Sequence, residues 1–465
     1  MSDPGVGEQR FRDVRLTLFV ALGALVIAVA SALHYAGSWN DGSRLAAVES
    51  LVDHRTWVID DSIFVEVPQQ AGVAAPYPRS QPGLMHAGTQ DRLWIGGHFY
   101  SDKSPVPLLF MAAAYQLIQW TTGLVARDHP DWFCYVMTLL FSGTAYVISV
   151  CCIDRLAVAT NLSQRPRILL TTSFALATIA LPYARQVNNH ILLLAVCSAL
   201  MLAFSRLEKF PTRRLLAIGS LIGAGYTIDL GIGPVLVVCA VAFVASTARN
   251  LRGPVVVLAA AFPWFVLHHA LNYRIGGTFL PANAHADYCL WPGSPIDRAD
   301  LTGAWSHASA GKFVGYALDL LFGGRGFLTH NLALFLALPG AVVLLRARVV
   351  ETRGILFAIG FSVGSWLLYA ATSTNHAGLC CSVRWFVPLL APGFYILALS
   401  LRHDPRCESD LAILSTGGVV LGALMWWHGP WMAHMVPGFW FILSATLLAW
   451  LAFHLRRSRA ESRKS

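Results

Sequence analysis

Two short clusters within residues 37–131 carry side chains able to do chemistry. The first is Asp41-Gly42-Ser43-Arg44, and the second is Ser101-Asp102-Lys103-Ser104-Pro105. A carboxylate such as Asp41 can take a proton from an attacking hydroxyl. A lysine such as Lys103 offers a point charge to a phosphate. Asp102 beside it offers oxygens to a divalent metal. Each residue also has a plainer use. Asp41 could cap a helix that begins at Ser43. Lys103 could snorkel at the start of an apolar helix, with Asp102 balancing its charge.

Further polar residues sit close to the ends of apolar stretches. They are Tyr183, Arg185 and His190, then Tyr273, Arg274, His285, Asp287 and Tyr288. Arg325, His330 and Asn331 follow, and finally Asn375, His376 and Arg384. Taken singly, each is an ordinary interfacial residue. As a set they differ, because several separate loops each deliver an arginine near a membrane boundary. Positive groups at that level suit a lipid phosphate. Asp229 is a lone acid near the end of another apolar stretch.

The elements that must position these residues are membrane helices. The chain has 465 residues, is 55% hydrophobic and only 13% charged, and its mean hydropathy is +0.55. A soluble protein would carry about 25% charged residues. Apolar stretches of membrane-crossing length recur along the chain. Spans are expected near 14–36, 132–153, 168–183, 189–205, 215–229, 232–248, 254–271, 327–345, 354–372, 385–401, 411–427 and 433–455. This predicts an all-α polytopic membrane protein of about twelve spans, in a single domain over 1–465. The stretch 215–248, placed as two spans, has one long helix as its alternative reading. The run Leu16–Leu33 follows Arg10, Arg12 and Arg15, and Ala30-Ser31-Ala32 resembles a signal-peptidase site. Its length and the spans after it favour a retained helix.

Basic residues fix the expected orientation. The segment Val106–Val125 is apolar enough to be ambiguous. If it crossed, the loop Arg206–Arg214, with four basic residues, and the loop Arg346–Arg353, with three, would lie outside. If it lies on the surface, the basic loops gather on one side with the termini, as the positive-inside rule requires. Both termini are therefore expected in the cytoplasm. Residues 37–131 become a first outer loop with interfacial helices near 43–55 and 106–125. Residues 272–326 become a second long outer loop. The net charge of +9 and the tail Arg456–Lys464 then read as a topology anchor and not as a nucleic-acid surface.

No P-loop, strand–GxGxxG–helix unit, HExxH or GxSxG occurs, so nucleotide-driven and hydrolytic readings lack support. The nine cysteines include no CxxC pair and suggest neither zinc nor a disulfide framework.

The order of first helix, outer acid, amphipathic helix and Lys-Pro segment resembles the GT-C membrane glycosyltransferases. The likeness is to the lipid A aminoarabinose transferases and the protein O-mannosyltransferases. In the former, an Asp-Glu-x-Arg-Tyr motif precedes an acidic-Lys-Pro motif. Asp41-Gly42-Ser43-Arg44-Leu45 and Asp102-Lys103-Ser104-Pro105 match them. Ser382-Val383-Arg384-Trp385 with Pro388 resembles a Gly-Pro-Arg-Tyr…Pro segment of bacterial relatives. Gly42 replaces the second acid, and Ser104 interrupts the Lys-Pro-Pro form.

The resemblance implies transfer of a sugar from a polyprenyl-phosphate donor to a lipid, glycan or protein acceptor. The reaction would invert the sugar carbon and face outward from the cytoplasmic (inner or plasma) membrane. It assigns Asp41 as base and Lys103, Arg384 and Arg325 to the donor phosphate. Arg44, Tyr183, Arg185, His190 and His376 are expected around the substrate. Membrane lipids are partners, nucleic acid is not, and a divalent metal would sit at Asp102. A transporter or lipid flippase is the main alternative, and a non-catalytic assembly factor the second. Transporters place their polar residues at mid-membrane within repeated units, whereas here the charges gather at one face.

Overall fold

A computed structural model describes residues 4–69, 74–205, 211–248 and 250–462. Residues 206–210 of the basic loop Arg206–Arg214 and residues 463–465 of the basic tail lie outside the described residues. The protein is mostly helical, and helices occupy every stretch expected to be apolar and helical. Among the described residues, seven helices are long and apolar enough to cross a membrane. An eighth follows if a bent pair, Ala310–His330 with Leu334–Arg346, is one span; its halves meet at 98°.

The remaining expected spans are shorter or interrupted. Asn189–Phe204 and Ile232–Ala248 are apolar helices below full membrane-crossing length. The stretch 168–183 divides into Gln164–Leu176 and Ala180–Tyr183, where Asn331 Oδ1 accepts the N–H of Ile179 at 3.0 Å. The stretch 215–248 is two helices, Thr212–Ile228 and Ile232–Ala248. At the break, Asp229 Oδ1 accepts the N–H groups of Gly231 and Ile232 at 2.9 and 3.0 Å. Interrupted helices are tolerated in a membrane protein where side chains satisfy the freed backbone.

Between the first helix, Pro4–Ser31, and Pro130–Ala159, the chain builds a compact cap. Its first helix spans Trp39–Glu49 and continues as a π-helical turn, Ser50–His54. This helix starts four residues before the expected Ser43, and its N-cap is Ser38, not Asp41. The Ser38 hydroxyl accepts the N–H groups of Asn40 and Asp41, which is how serine satisfies a helix start. The helix is also enclosed by protein, not laid on a surface with one wet face. Every residue from Asn40 to Glu49 is buried. Ile59, Phe64, Tyr77, Met111, Tyr115 and Phe133 close around Leu45, Val48 and Val52.

The helix expected at 106–125 spans Pro105–Thr122, and Gly123 ends it in the left-handed conformation. It buries Val106, Leu108, Met111 and Tyr115 and leaves Leu109, Phe110, Leu117 and Trp120 exposed. Between the two helices lies a hairpin, β1 (Arg92–Ile95) and β2 (His98–Ser101), in a chain otherwise read as all-helical. Gly96 and Gly97 form its two-residue turn, both with positive φ, as such tight turns require. The later stretch 272–326 is not a bare loop either, since it contains the helix Ala310–Phe322.

A second polar group holds the opposite end of the first helix. Arg167, 2% exposed, donates to Asp154 Oδ1 at 2.7 Å, to Asp13 Oδ1 at 2.6 Å and to Thr17 Oγ1 at 2.9 Å. Thr17 in turn donates to Asp154 Oδ2 at 2.7 Å. Three helices, Pro4–Ser31, Thr144–Ala159 and Gln164–Leu176, are thereby clamped through one guanidinium.

Candidate active site

The hairpin sets the geometry of the site. Arg92 pairs with Ser101 across the two strands. Continuing that register by one residue places Asp91 opposite Asp102. The next residue, Lys103, reaches both: its Nζ lies 2.7 Å from Asp91 Oδ2 and 2.7 Å from Asp102 Oδ2. One ammonium thus sits between two carboxylates. Ser43 donates to Asp102 Oδ1 at 3.0 Å and shares a hydrogen bond with Ser101 at 2.7 Å, which joins the Trp39–Glu49 helix to the hairpin.

From this triad a continuous polar chain runs to the helix ends. Asn40 Nδ2 donates to Asp91 Oδ2 at 3.4 Å. Arg44 donates to the Asn40 carbonyl at 2.7 Å and to Asn189 Oδ1 at 2.6 Å. Asn189 donates to Asp229 Oδ2 at 3.3 Å. His190 Nδ1 lies 3.2 Å from the same oxygen, and Tyr369 donates to Asp229 Oδ1 at 3.2 Å. The Tyr369 ring stacks on Trp385, with centroids 4.2 Å apart and planes 3° apart. Trp385 follows Arg384, whose guanidinium lies 5.2 Å from the centroid of Trp431.

The charges of this group are strongly coupled. Burial raises the Asp91 carboxyl, but the Lys103 ammonium, aided by Arg384 and Arg44, wins and holds it below the usual carboxylate range. For Asp102 burial prevails over Lys103, and its carboxyl is raised. Burial likewise lowers Arg44 to about 10, against the attraction of Asp102. Two carboxylates sharing one cation titrate apart in this way.

Asp41 is placed differently. It is 1% exposed, and Gly37 N–H donates to its Oδ2 at 2.6 Å while the Ser38 hydroxyl donates to its Oδ1. Burial pushes its carboxyl up to about 6, opposed by those two hydrogen bonds. Beside it, Gly42 faces the Tyr77 hydroxyl so closely that any Cβ would overlap it. The second acid of the related motif has no room here. Ser104, where relatives continue with proline, donates to the Thr227 carbonyl and ties the Lys103 segment to the Thr212–Ile228 helix.

Arg44, Asp102, Lys103, His190 and Arg384 therefore converge, from segments far apart in sequence. Tyr183 is buried at the edge of this group and donates to the Ser382 carbonyl at 3.4 Å. Three expected residues are engaged elsewhere. Arg185 donates to the Trp427 carbonyl at 3.0 Å. Arg325 donates to the carbonyls of Gly378 and Ala433 at 3.2 and 2.6 Å, so it braces loops. His376 Nε2 lies 2.6 Å from Asp319 Oδ2. The donor set at Asp102 does not fit a metal, because the Lys103 ammonium occupies the space between the two carboxylates. No group of three His, Cys, Asp or Glu side chains able to hold a metal ion gathers among the described residues. Asp91, Asn40 and Asn189 were not expected from sequence. A Gly-Gly turn between Arg92-Leu-Trp-Ile and His-Phe-Tyr-Ser is the signal that would have paired Asp91 with Asp102.

A cleft opens beside the triad, lined by Ser101, Asp102, Lys103, His268, Asn272 and Asn283 among others. The arrangement offers an ammonium and two guanidinium groups to an anion, and carboxylates to a hydroxyl.

No family model matches the sequence, and no curated protein matches it. Solved structures do. ArnT from Cupriavidus metallidurans bound to undecaprenyl phosphate is 14% identical, with a TM-score of 0.50 over 95% of this chain and 75% of that one. The same protein in the apo state gives 0.51 at 14% identity and the same coverage. The Archaeoglobus fulgidus oligosaccharyltransferase aligns over 94% of this chain and 54% of its own, at 12% identity and a TM-score of 0.45. The chain has the fold of ArnT, so the resemblance drawn from its short motifs holds at the level of fold.

Proposed function

We propose that this protein is a membrane glycosyltransferase that moves a sugar from a polyprenyl-phosphate donor to an acceptor at the outer membrane face. One observation supports the reading above others. On an ArnT-like fold, Lys103 Nζ lies 2.7 Å from both Asp91 and Asp102, and the cations Arg384 and Arg44 act on the same Asp91 charge at longer range. A lipid phosphate entering between helices would meet all three. As the sugar–phosphate bond breaks, charge grows on the leaving phosphate, and preorganised cations stabilise it there. Arg384 is suited to this because its Nε is buried without a hydrogen-bond partner in the described structure. A single displacement by the acceptor oxygen would invert the sugar carbon.

The test is transfer of radiolabelled sugar from a panel of polyprenyl-phosphate sugars, using membranes that contain the protein. Label is expected to leave the donor fraction and enter a new product. Lys103→Ala should weaken donor binding by about 1.5–3 kcal/mol, the worth of a charged hydrogen bond. Donor movement across the bilayer without any new product would favour the flippase reading instead.

A further inference from the structure

The transfer reaction proposed above needs a group to take the acceptor's proton, and three carboxylates of the cap are the candidates: Asp41, Asp91 and Asp102. Their oxygens are not equally available. Asp41 has both oxygens taken, by Gly37 N–H and the Ser38 hydroxyl. Asp102 has one taken by Ser43 and the other by Lys103. Asp91 Oδ2 is shared by Asn40 and Lys103. Of these oxygens, Asp91 Oδ1 alone has no hydrogen-bond partner among the described residues, and it is not fully buried, the Asp91 side chain being 19% exposed. Geometry comes before acidity in choosing a base.

We propose that Asp91, not Asp41, is the proton acceptor of the reaction. This rests on the glycosyl-transfer reading. Asp91 Oδ1 receives the acceptor's O–H proton, and the acceptor oxygen forms the new bond to the sugar carbon. The bond from that carbon to the phosphate oxygen breaks, with its electron pair leaving on polyprenyl phosphate. Lys103 lies between the Asp91 carboxylate and the departing charge, so one ammonium fixes the base and steadies the leaving group. Asn40 orients the same carboxylate from the helix side. Asp41 keeps the Ser38 turn closed and so sets the position of Asn40 and Arg44.

The experiment compares Asp91→Asn, Asp91→Glu and Asp41→Asn in the full-length protein, using the donor that wild type accepts. Asp91→Asn is expected to lower kcat by roughly 10²–10⁴. Its affinity for undecaprenyl phosphate and its unfolding temperature should stay near wild type. Asp91→Glu, which keeps a carboxylate, should recover at least tenfold over Asp91→Asn. Asp41→Asn should lose less than Asp91→Asn. Near-normal turnover by Asp91→Asn, or a larger loss in Asp41→Asn, would overturn the assignment while leaving glycosyl transfer intact. So would a failure of Asp91→Glu to recover, or an Asp91→Asn loss matched by lost undecaprenyl phosphate binding. Absence of transfer by wild type from any polyprenyl-phosphate sugar would remove both proposals together.

Discussion

Gly42 shows how a single position can conflict with a motif and still be required. In the related motif an acid stands there, but the Tyr77 hydroxyl fills the space, held by the Phe64 carbonyl at 2.8 Å. Gly42→Ala should therefore cost about 1–3 kcal/mol through overpacking, read as lower thermal stability in detergent. Tyr77→Phe in the same chain should recover part of the loss, and no recovery would mean that the overlap is not the cause. A second buried group, Glu49, is 1% exposed and accepts the Ile63 N–H at 3.1 Å. Burial pushes its carboxyl up to about 8. A raised carboxyl favours the folded state fully below its unfolded value of about 4.5, and that contribution fades as pH rises through 8. Wild type should thus lose stability between pH 5 and 9, by an amount on the order of a few kcal/mol. Glu49→Gln should flatten that decline, and an equally steep decline would exclude Glu49 as its source. Lys103, Arg44 and Arg384 were legible from sequence because charges are rare in an apolar chain. The sealing of Asp41 was not, since it depends on a backbone turn at Gly37 and Ser38.

Among the elements, the hairpin has the greatest leverage. Its two-residue turn fixes the register, and the register places Asp91 across from Asp102. One residue inserted between Gly96 and Gly97 would flip side chains to the opposite face of the strand. The insertion is expected to weaken undecaprenyl phosphate binding at least tenfold while helix content by circular dichroism stays unchanged. Unaltered affinity would show that the triad is not needed for the phosphate. The turn chemistry was visible in Gly96-Gly97, yet a short hairpin is easily overlooked where apolar runs dominate the periodicity. Helix starts were harder to place. Asp41 looked like a cap, but Ser38 takes that role, because either residue type can cap and only the backbone conformation decides. The break after Asp229 was expected from the separate spans 215–229 and 232–248, but the interruption at Thr178 was unreadable, since Asn331, which satisfies it, lies far along the chain.

For the whole molecule, the apolar helices and the polar network at one end were legible together, because composition and charge placement report on the same bilayer. The number of crossings was less so, as short and broken helices carry weak signals. The orientation proposed from basic loops can be checked with two cysteines in a background lacking the native ones. Asp128→Cys should be labelled by an impermeant reagent from outside. Val350→Cys, at a position 96% exposed, should be labelled only after the membrane is opened. The reverse pattern would invert the molecule. The clamp on Arg167 adds a matter of timing. Thr17 and Arg167 are 150 residues apart, so the ribosome must make most of that interval before they can meet. At roughly 5–20 residues per second, the newborn first helix waits on the order of ten seconds with Asp13 unmatched. The insertion machinery is then expected to keep hold of it meanwhile. A photo-crosslinker at position 17 should stay attached to that machinery in shorter nascent chains, and let go once Arg167 has emerged.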